Sequence, residues 1–267
     1  MSKLRRNWCE KQTIQITLCQ NTVNPYPHID VEPLFTEMVR DYPMACVLTD
    51  KIPHPKFLNA DFIFHHEKIV AEFKRIEKDA TDNPKVQAKI TAVIEQYYAE
   101  GKIREKQITE ENWPGLPKEF QNDIYTTTTD SIKVHIEKAN KQIKATKENL
   151  GLESYKGCLI LVNDGVESFP PVTFLWAAFR LILHQYSGIT YIITFPANVF
   201  AKSREHPAPI QYWLGLDVEK AGKMEGTFSE NLFHAWTGFI AHKTGIPAIR
   251  REFNDVEGFW KARNLPN

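Results

Sequence analysis

The stretch Phe57-Leu58-Asn59-Ala60-Asp61-Phe62-Ile63-Phe64-His65-His66-Glu67-Lys68-Ile69-Val70-Ala71-Glu72-Phe73-Lys74-Arg75-Ile76 decides how this chain is read. Residues 57–64 and 69–76 are two strand-like runs, and the four polar residues between them have the length of a hairpin connection. A regular hairpin pairs Phe64 with Ile69, Ile63 with Val70, Phe62 with Ala71 and Asp61 with Glu72. Two carboxylates then oppose each other at roughly 5 Å between Cβ atoms, which is destabilising unless positive charge lies between them. A divalent cation meets that need, and an oxygen-rich site suits magnesium or manganese. Strand alternation puts Lys74 on the side of Glu72. In phosphodiester hydrolysis a metal polarises the phosphate and acidifies a water, while a neighbouring lysine orients that water or stabilises the developing charge.

Outward from the hairpin, the pattern alternates helices and strands. Asp30 and Pro33 open a helix with the apolar face Leu34, Phe35, Met38 and Val39, which should end near Tyr42-Pro43. Residues 44–49 read as a buried strand. Asp82 and Pro84 open a helix to about Gly101 with Val86, Ile90, Val93, Ile94 and Tyr97 on one face. Residues 102–130 read as an irregular, polar insertion. Asp130 or Ser131 then caps a helix to about Leu150, with the stripe Ile132, Ile136, Ala139, Ile143, Thr146 and Leu150. Cys158 to Val162 is a continuous apolar run suited to a strand covered on both faces, closed by the turn Asn163-Asp164-Gly165. A helix over about 171–185 and a strand over 189–195 follow. Near the start, Ile14, Ile16 and Leu18 alternate as an extended piece or edge strand. The expected class is α/β.

Composition sets the limits. Of 267 residues, 42% are hydrophobic and 25% charged, as in folded globular chains. Lysine plus arginine and aspartate plus glutamate each number 33, so any nucleic-acid surface must be local. Cys9, Cys19, Cys46 and Cys158 form no CxxC pair, which argues against a zinc knuckle and a disulfide framework and fits a reducing cytoplasm. Residues after Arg6 lack the apolar run of a normal signal peptide, and 172–183 is too short to cross a bilayer.

Other groups have plainer readings beside the sharper ones. Lys133, Lys138, Lys141, Lys144 and Lys147 suit the wet face of a helix as well as a phosphate backbone. His65-His66 reads as a solvated turn, and His234 and His242 as packing or capping residues. Trp213, Phe228, Phe233, Trp236 and Trp260 read first as core, and otherwise as a dimer face or a base-stacking surface.

The segments Asn59-Ala60-Asp61 and Glu72-Phe73-Lys74, with ten residues between the acids, resemble the half-motifs of the PD-(D/E)XK nuclease superfamily. Ala60 stands where that pattern has a proline. The resemblance covers about 30–163. It implies a restriction-endonuclease-like core in the order αβββαβ, within a central mixed β-sheet flanked by helices. Around that core, about 80–130 is a helical insertion and 164–267 a C-terminal α/β extension, in a single domain. It further implies that Asp61 and Glu72 bind Mg2+ or Mn2+ with the Phe73 carbonyl, and that Lys74 positions water. An acid from the first helix joins them, Glu37 being preferred to Glu32. Lys138, Lys141 and Gln142 contact the nucleic acid. The expected activity is metal-dependent endonuclease cleavage, first of DNA, in restriction, defence or repair. The alternatives are a non-cleaving nucleic-acid or protein-binding module and a hydrolase of RNA or another phosphate ester.

Overall fold

The computed structural model describes residues 14–18, 28–104, 107–108, 112, 115–166, 171–198, 210–218, 227–245 and 249–253. They form an α/β fold around one mixed sheet of eight strands in the order β2-β3-β4-β5-β6-β7-β1-β8. The strands are β1 (Ile14–Leu18), β2 (Ala45–Val47), β3 (Phe62–Phe64), β4 (Ile69–Ile76), β5 (Lys156–Asn163), β6 (Tyr191–Pro196), β7 (Ile210–Asp217) and β8 (Ile249–Phe253). The α-helices are α1 (Val31–Asp41), α2 (Leu48–Lys51), α3 (Pro84–Ala99), α4 (Lys118–Leu150), α5 (Pro171–Gln185) and α6 (Phe228–Thr244). β4, β5 and β6 run parallel, and the other neighbours pair antiparallel.

Period-two alternation divides the core between the two sheet faces. Ile63, Val70, Leu159, Leu161 and Ile192 pack with Ile132, Ile136, Ala139 and Ile143 of α4 and with α5. Phe62, Phe64, Ala71, Phe73 and Ile160 pack with Val31, Phe35, Met38 and Val39 of α1 and with Phe228, Leu232, Phe233 and Trp236 of α6. Trp213 joins this second layer, so four of the five aromatic residues singled out in the C-terminal part are core. Trp260 lies outside the described residues, as do Cys9 and Cys19, while Cys46 and Cys158 are free thiols.

The hairpin register matches the sequence expectation at Phe64–Ile69, Ile63–Val70 and Phe62–Ala71. β3 nevertheless begins at Phe62, not near Phe57, because α4 captures the preceding backbone. The Ala60 amide donates to Thr146 Oγ1 at 2.7 Å, and Gln142 Nε2 donates to the Asn59 carbonyl at 2.9 Å. Those groups are satisfied without a ladder, so the chain leaves the sheet before Asp61.

Several expectations change. Residues 118–130 are not irregular: α4 is one helix of 33 residues starting after Pro117, and neither Asp130 nor Ser131 caps it. The polar run Thr126 to Thr129 is accommodated in this helix because the four hydroxyls donate to carbonyls three or four residues back. Asn83, not Asp82, caps α3, accepting from the Lys85 amide at 3.0 Å. Residues 48 and 49 belong to α2 and not to the preceding strand. β1 lies between β7 and β8, inside the sheet. His234 and His242 are exposed; the His234 ring lies 5.7 Å from that of Phe233 and 3.8 Å from Glu230, and His242 stands in the last turn of α6, where a basic residue suits the helix end. Among the described residues no helix is long and apolar enough to cross a membrane.

Candidate metal centre

Asp61, Glu72 and Lys74 meet beneath α4, at the end of the hairpin away from its turn. Asp61 has just left β3 and does not pair with Glu72 in the ladder. Its side chain takes over the missing strand's task, accepting the Phe73 amide on Oδ2 at 2.8 Å. Since the N–H and C=O of a strand residue point to the same neighbour, the Phe73 carbonyl faces this edge too. Glu72 is fully buried, with Oε1 held by the Lys74 ammonium. Glu72 Oε2 is buried with no hydrogen-bond partner.

Electrostatics single out this pair. Burial, then the negative charge of Asp61, push the Glu72 carboxyl well above the usual carboxylate range, against the pull of Lys74. Burial also raises Asp61, which the Phe73 amide and Lys74 counteract. Of the two, Glu72 keeps a proton to higher pH. A fully buried acid and a partly buried one beside a single ammonium leave negative charge uncompensated when both ionise. An added cation fits this donor set, because Glu72 Oε2 has no N–H or hydroxyl donor, the Asp61 and Glu72 carboxyls lie within hydrogen-bonding reach of each other, and the Phe73 carbonyl faces the same edge. Among the described residues, no group of three or more His, Cys, Asp or Glu side chains is placed to hold a metal ion.

The remaining candidates fall in different places. Glu37 is engaged elsewhere, accepting from Lys243 of α6 at 2.6 Å. Glu32 is the helix acid that senses the centre: desolvation first, then the Asp61 charge, raise its carboxyl, while Arg75 and Lys74 lower it. The preference for Glu37 overlooked what holds the start of α1. Arg75 Nη1 donates to Asp30 at 2.7 Å, and Arg75 also pairs with Glu77 and lies 3.5 Å from Asp164. Asn198 exchanges hydrogen bonds with the Ile29 backbone at 2.9 and 3.0 Å and donates to Asp164. These contacts fasten the first turn of α1, and Glu32 with it, over the ends of β4 and β5. Asp30 is thereby diverted from capping its own helix.

Gln142 is spent on Asn59, so it positions the approach to Asp61. Lys141 pairs with Glu137 at 2.8 Å, and Lys138 is exposed. His135, one turn earlier on α4, was not singled out in the sequence. Burial, then the nearby positive charges of Lys74 and Lys138, hold it below the ordinary histidine range, so it is a neutral imidazole at the rim. Its spacing of i, i+3 from Lys138 was the available signal. No family model matches the chain, and no curated protein or solved structure matches it either.

Proposed function

We propose that this protein is a metal-dependent nuclease that hydrolyses phosphodiester bonds, with DNA as the favoured substrate, on a restriction-endonuclease-like core. The observation that carries the reading is the buried Glu72 carboxyl beside the partly buried Asp61, with Glu72 Oε2 lacking a donor and Oε1 held by Lys74. Between Val31 and Asn163 the order α1, β2, α2, β3, β4, α3, α4, β5, with β2, β3 and β4 antiparallel neighbours, supports it once α2 and α3 are taken as additions to the core, as do the half-motifs at 59–61 and 72–74.

A magnesium or manganese ion held by Asp61, Glu72 and the Phe73 carbonyl would supply charge to a phosphate oxygen and acidity to a water. The chain's own residues then divide the remaining work. Asp61 and Glu72 give up their shared repulsion to bind, and Glu72 gives up the proton that burial otherwise keeps on it. Lys74, released from its role as sole counter-charge, presents an ammonium to the attacking water or to the charge that develops on phosphorus. Thr146 and Gln142 hold residues 59–61 in place from α4. Glu32 adds a third negative group from α1, and Lys138 with neutral His135 lines the approach.

The test is incubation with Mg2+ of supercoiled plasmid, duplex DNA, single-stranded DNA and single-stranded RNA, using wild type, Asp61→Ala and Lys74→Ala. Cleavage of DNA by wild type that is lost in both variants supports the reading. Equal products in all three proteins overturn it, and preferential cleavage of RNA replaces the DNA assignment.

A further inference from the structure

A second concave site lies at the opposite end of the same hairpin. A cavity of about 560 Å3 opens between the C-terminal turn of α1, the hairpin turn and one face of α6. That size is within the range of small-molecule pockets. Its walls are apolar: Met38, Met44, Ala235 and Phe239. Its carboxylates are Asp41 and Glu67, its other polar side chains are Tyr42, His66 and Asn231, and no lysine or arginine lines it among the described residues.

Two observations indicate what the cavity takes. Glu67 Oε2 is buried and has no hydrogen-bond partner, while Oε1 accepts only from the Tyr42 hydroxyl at a long 3.3 Å. A buried carboxylate oxygen in an apolar wall needs a donor or a positive charge. Met44, at the rim, has φ 56, a left-handed backbone that non-glycine residues rarely adopt, yet its side chain is 67% exposed. The turn therefore holds a flexible, polarisable side chain over the cavity mouth without burying it, and methionine adapts readily to a ligand.

The charge excludes phosphate-bearing ligands. The apolar share of the lining favours a ligand with an organic body over a hydrated divalent ion. We propose that the cavity binds a small organic cation, an amidinium, guanidinium or ammonium group on an apolar body, with Glu67 as its counter-ion. The head group reaches Glu67 at the hairpin turn, and the body lies among Met38, Met44, Ala235 and Phe239. The site is separate from the metal centre: Glu72 is three residues beyond the start of β4, about 10 Å along the strand. It therefore stands or falls independently of the nuclease reading.

Calorimetric titration of the full chain with benzamidine and with agmatine tests this, using benzamide and benzoate as neutral and anionic controls. Saturable binding of a cationic probe is expected, with at least tenfold weaker binding of benzamide and none of benzoate. Glu67→Gln should weaken the cation at least tenfold at unchanged melting temperature. Ala235→Phe, which fills the cavity, should abolish binding, and Asp61→Ala should bind as wild type does. The proposal is overturned if neither cation saturates, if benzamide binds as well as benzamidine, or if Glu67→Gln and Ala235→Phe both bind like wild type.

Discussion

Glu72 and Glu67 flank the start of β4, and each buries an Oε2 that has no hydrogen-bond partner, yet their surroundings differ. Glu72 shares its space with Asp61 and the Lys74 ammonium. Glu67 has the Tyr42 hydroxyl and an apolar wall, and burial, then the Glu67 charge, push the Tyr42 hydroxyl up. On both proposals, the charges beside a buried carboxylate oxygen set what it would bind. Two adjacent acids and one ammonium would leave a deficit suited to a divalent ion, whereas Glu67, hydrogen-bonded to a hydroxyl in a largely apolar wall, would suit a single positive charge.

The largest break in this comparison comes from removing one acid of the pair. Asp61→Ala should reduce Mg2+-dependent cleavage to background, and Lys74→Ala should lower it about 10²- to 10³-fold, the usual effect of losing one group that stabilises transition-state charge. Single-turnover cleavage measures both, and retention of wild-type rates would refute the assignment. Next in size is Thr146→Val. It strands the buried Ala60 amide, so unfolding in denaturant should show a loss of about 1–3 kcal/mol. Because the same contact sets the approach to Asp61, Mn2+ affinity should fall about 10- to 100-fold, as for groups that orient a metal ligand. Unchanged affinity would mean that α4 does not position Asp61.

A subtler contrast lies in pH. Between the ordinary carboxylate pKa of about 4.3 and the raised value of Glu72, the folded chain retains a proton that the unfolded chain has released. Stability of the metal-free protein should therefore fall as pH rises through that window, and the raised Asp61 carboxyl adds to the fall with the same sign. Glu72→Gln should flatten the slope, as should saturating Mg2+. Denaturant melts at several pH values decide, and a Glu72→Gln slope equal to wild type would contradict the account. The smallest expected effect separates the two helix acids. Glu32→Gln should weaken cleavage by about tenfold or less, on the scale of groups outside a metal's direct ligands. Glu37→Gln, whose partner is the exposed Lys243, should leave it unchanged. The reverse order would restore Glu37 to the site.

What the sequence made legible followed from local periodicity. Alternation and the four-residue turn gave the β3–β4 register, and the 3.6-residue stripe of Ile132, Ile136, Ala139 and Ile143 gave the buried face of α4. The missed features depend on contacts between distant residues. Asp61 leaves the strand because Thr146 and Gln142, more than 80 positions later, bind the backbone beside it. Glu32 is held over the centre because Arg75 draws Asp30 and Asn198 clamps Ile29. The polar composition of 102–130 suggested an irregular insertion, but from Lys118 onward it is helix, with the threonine hydroxyls of 126–129 bonded back to carbonyls. The cavity beside Glu67 gave no periodic signal, since three separate segments build it.

The most direct measurement is calorimetric titration of Mn2+ into the metal-free protein at neutral pH, in buffers of different ionisation enthalpy. The account predicts saturable binding with proton release from Glu72, and loss of both in Glu72→Gln. Absence of binding at saturating Mn2+, or equal binding by Glu72→Gln, would contradict it.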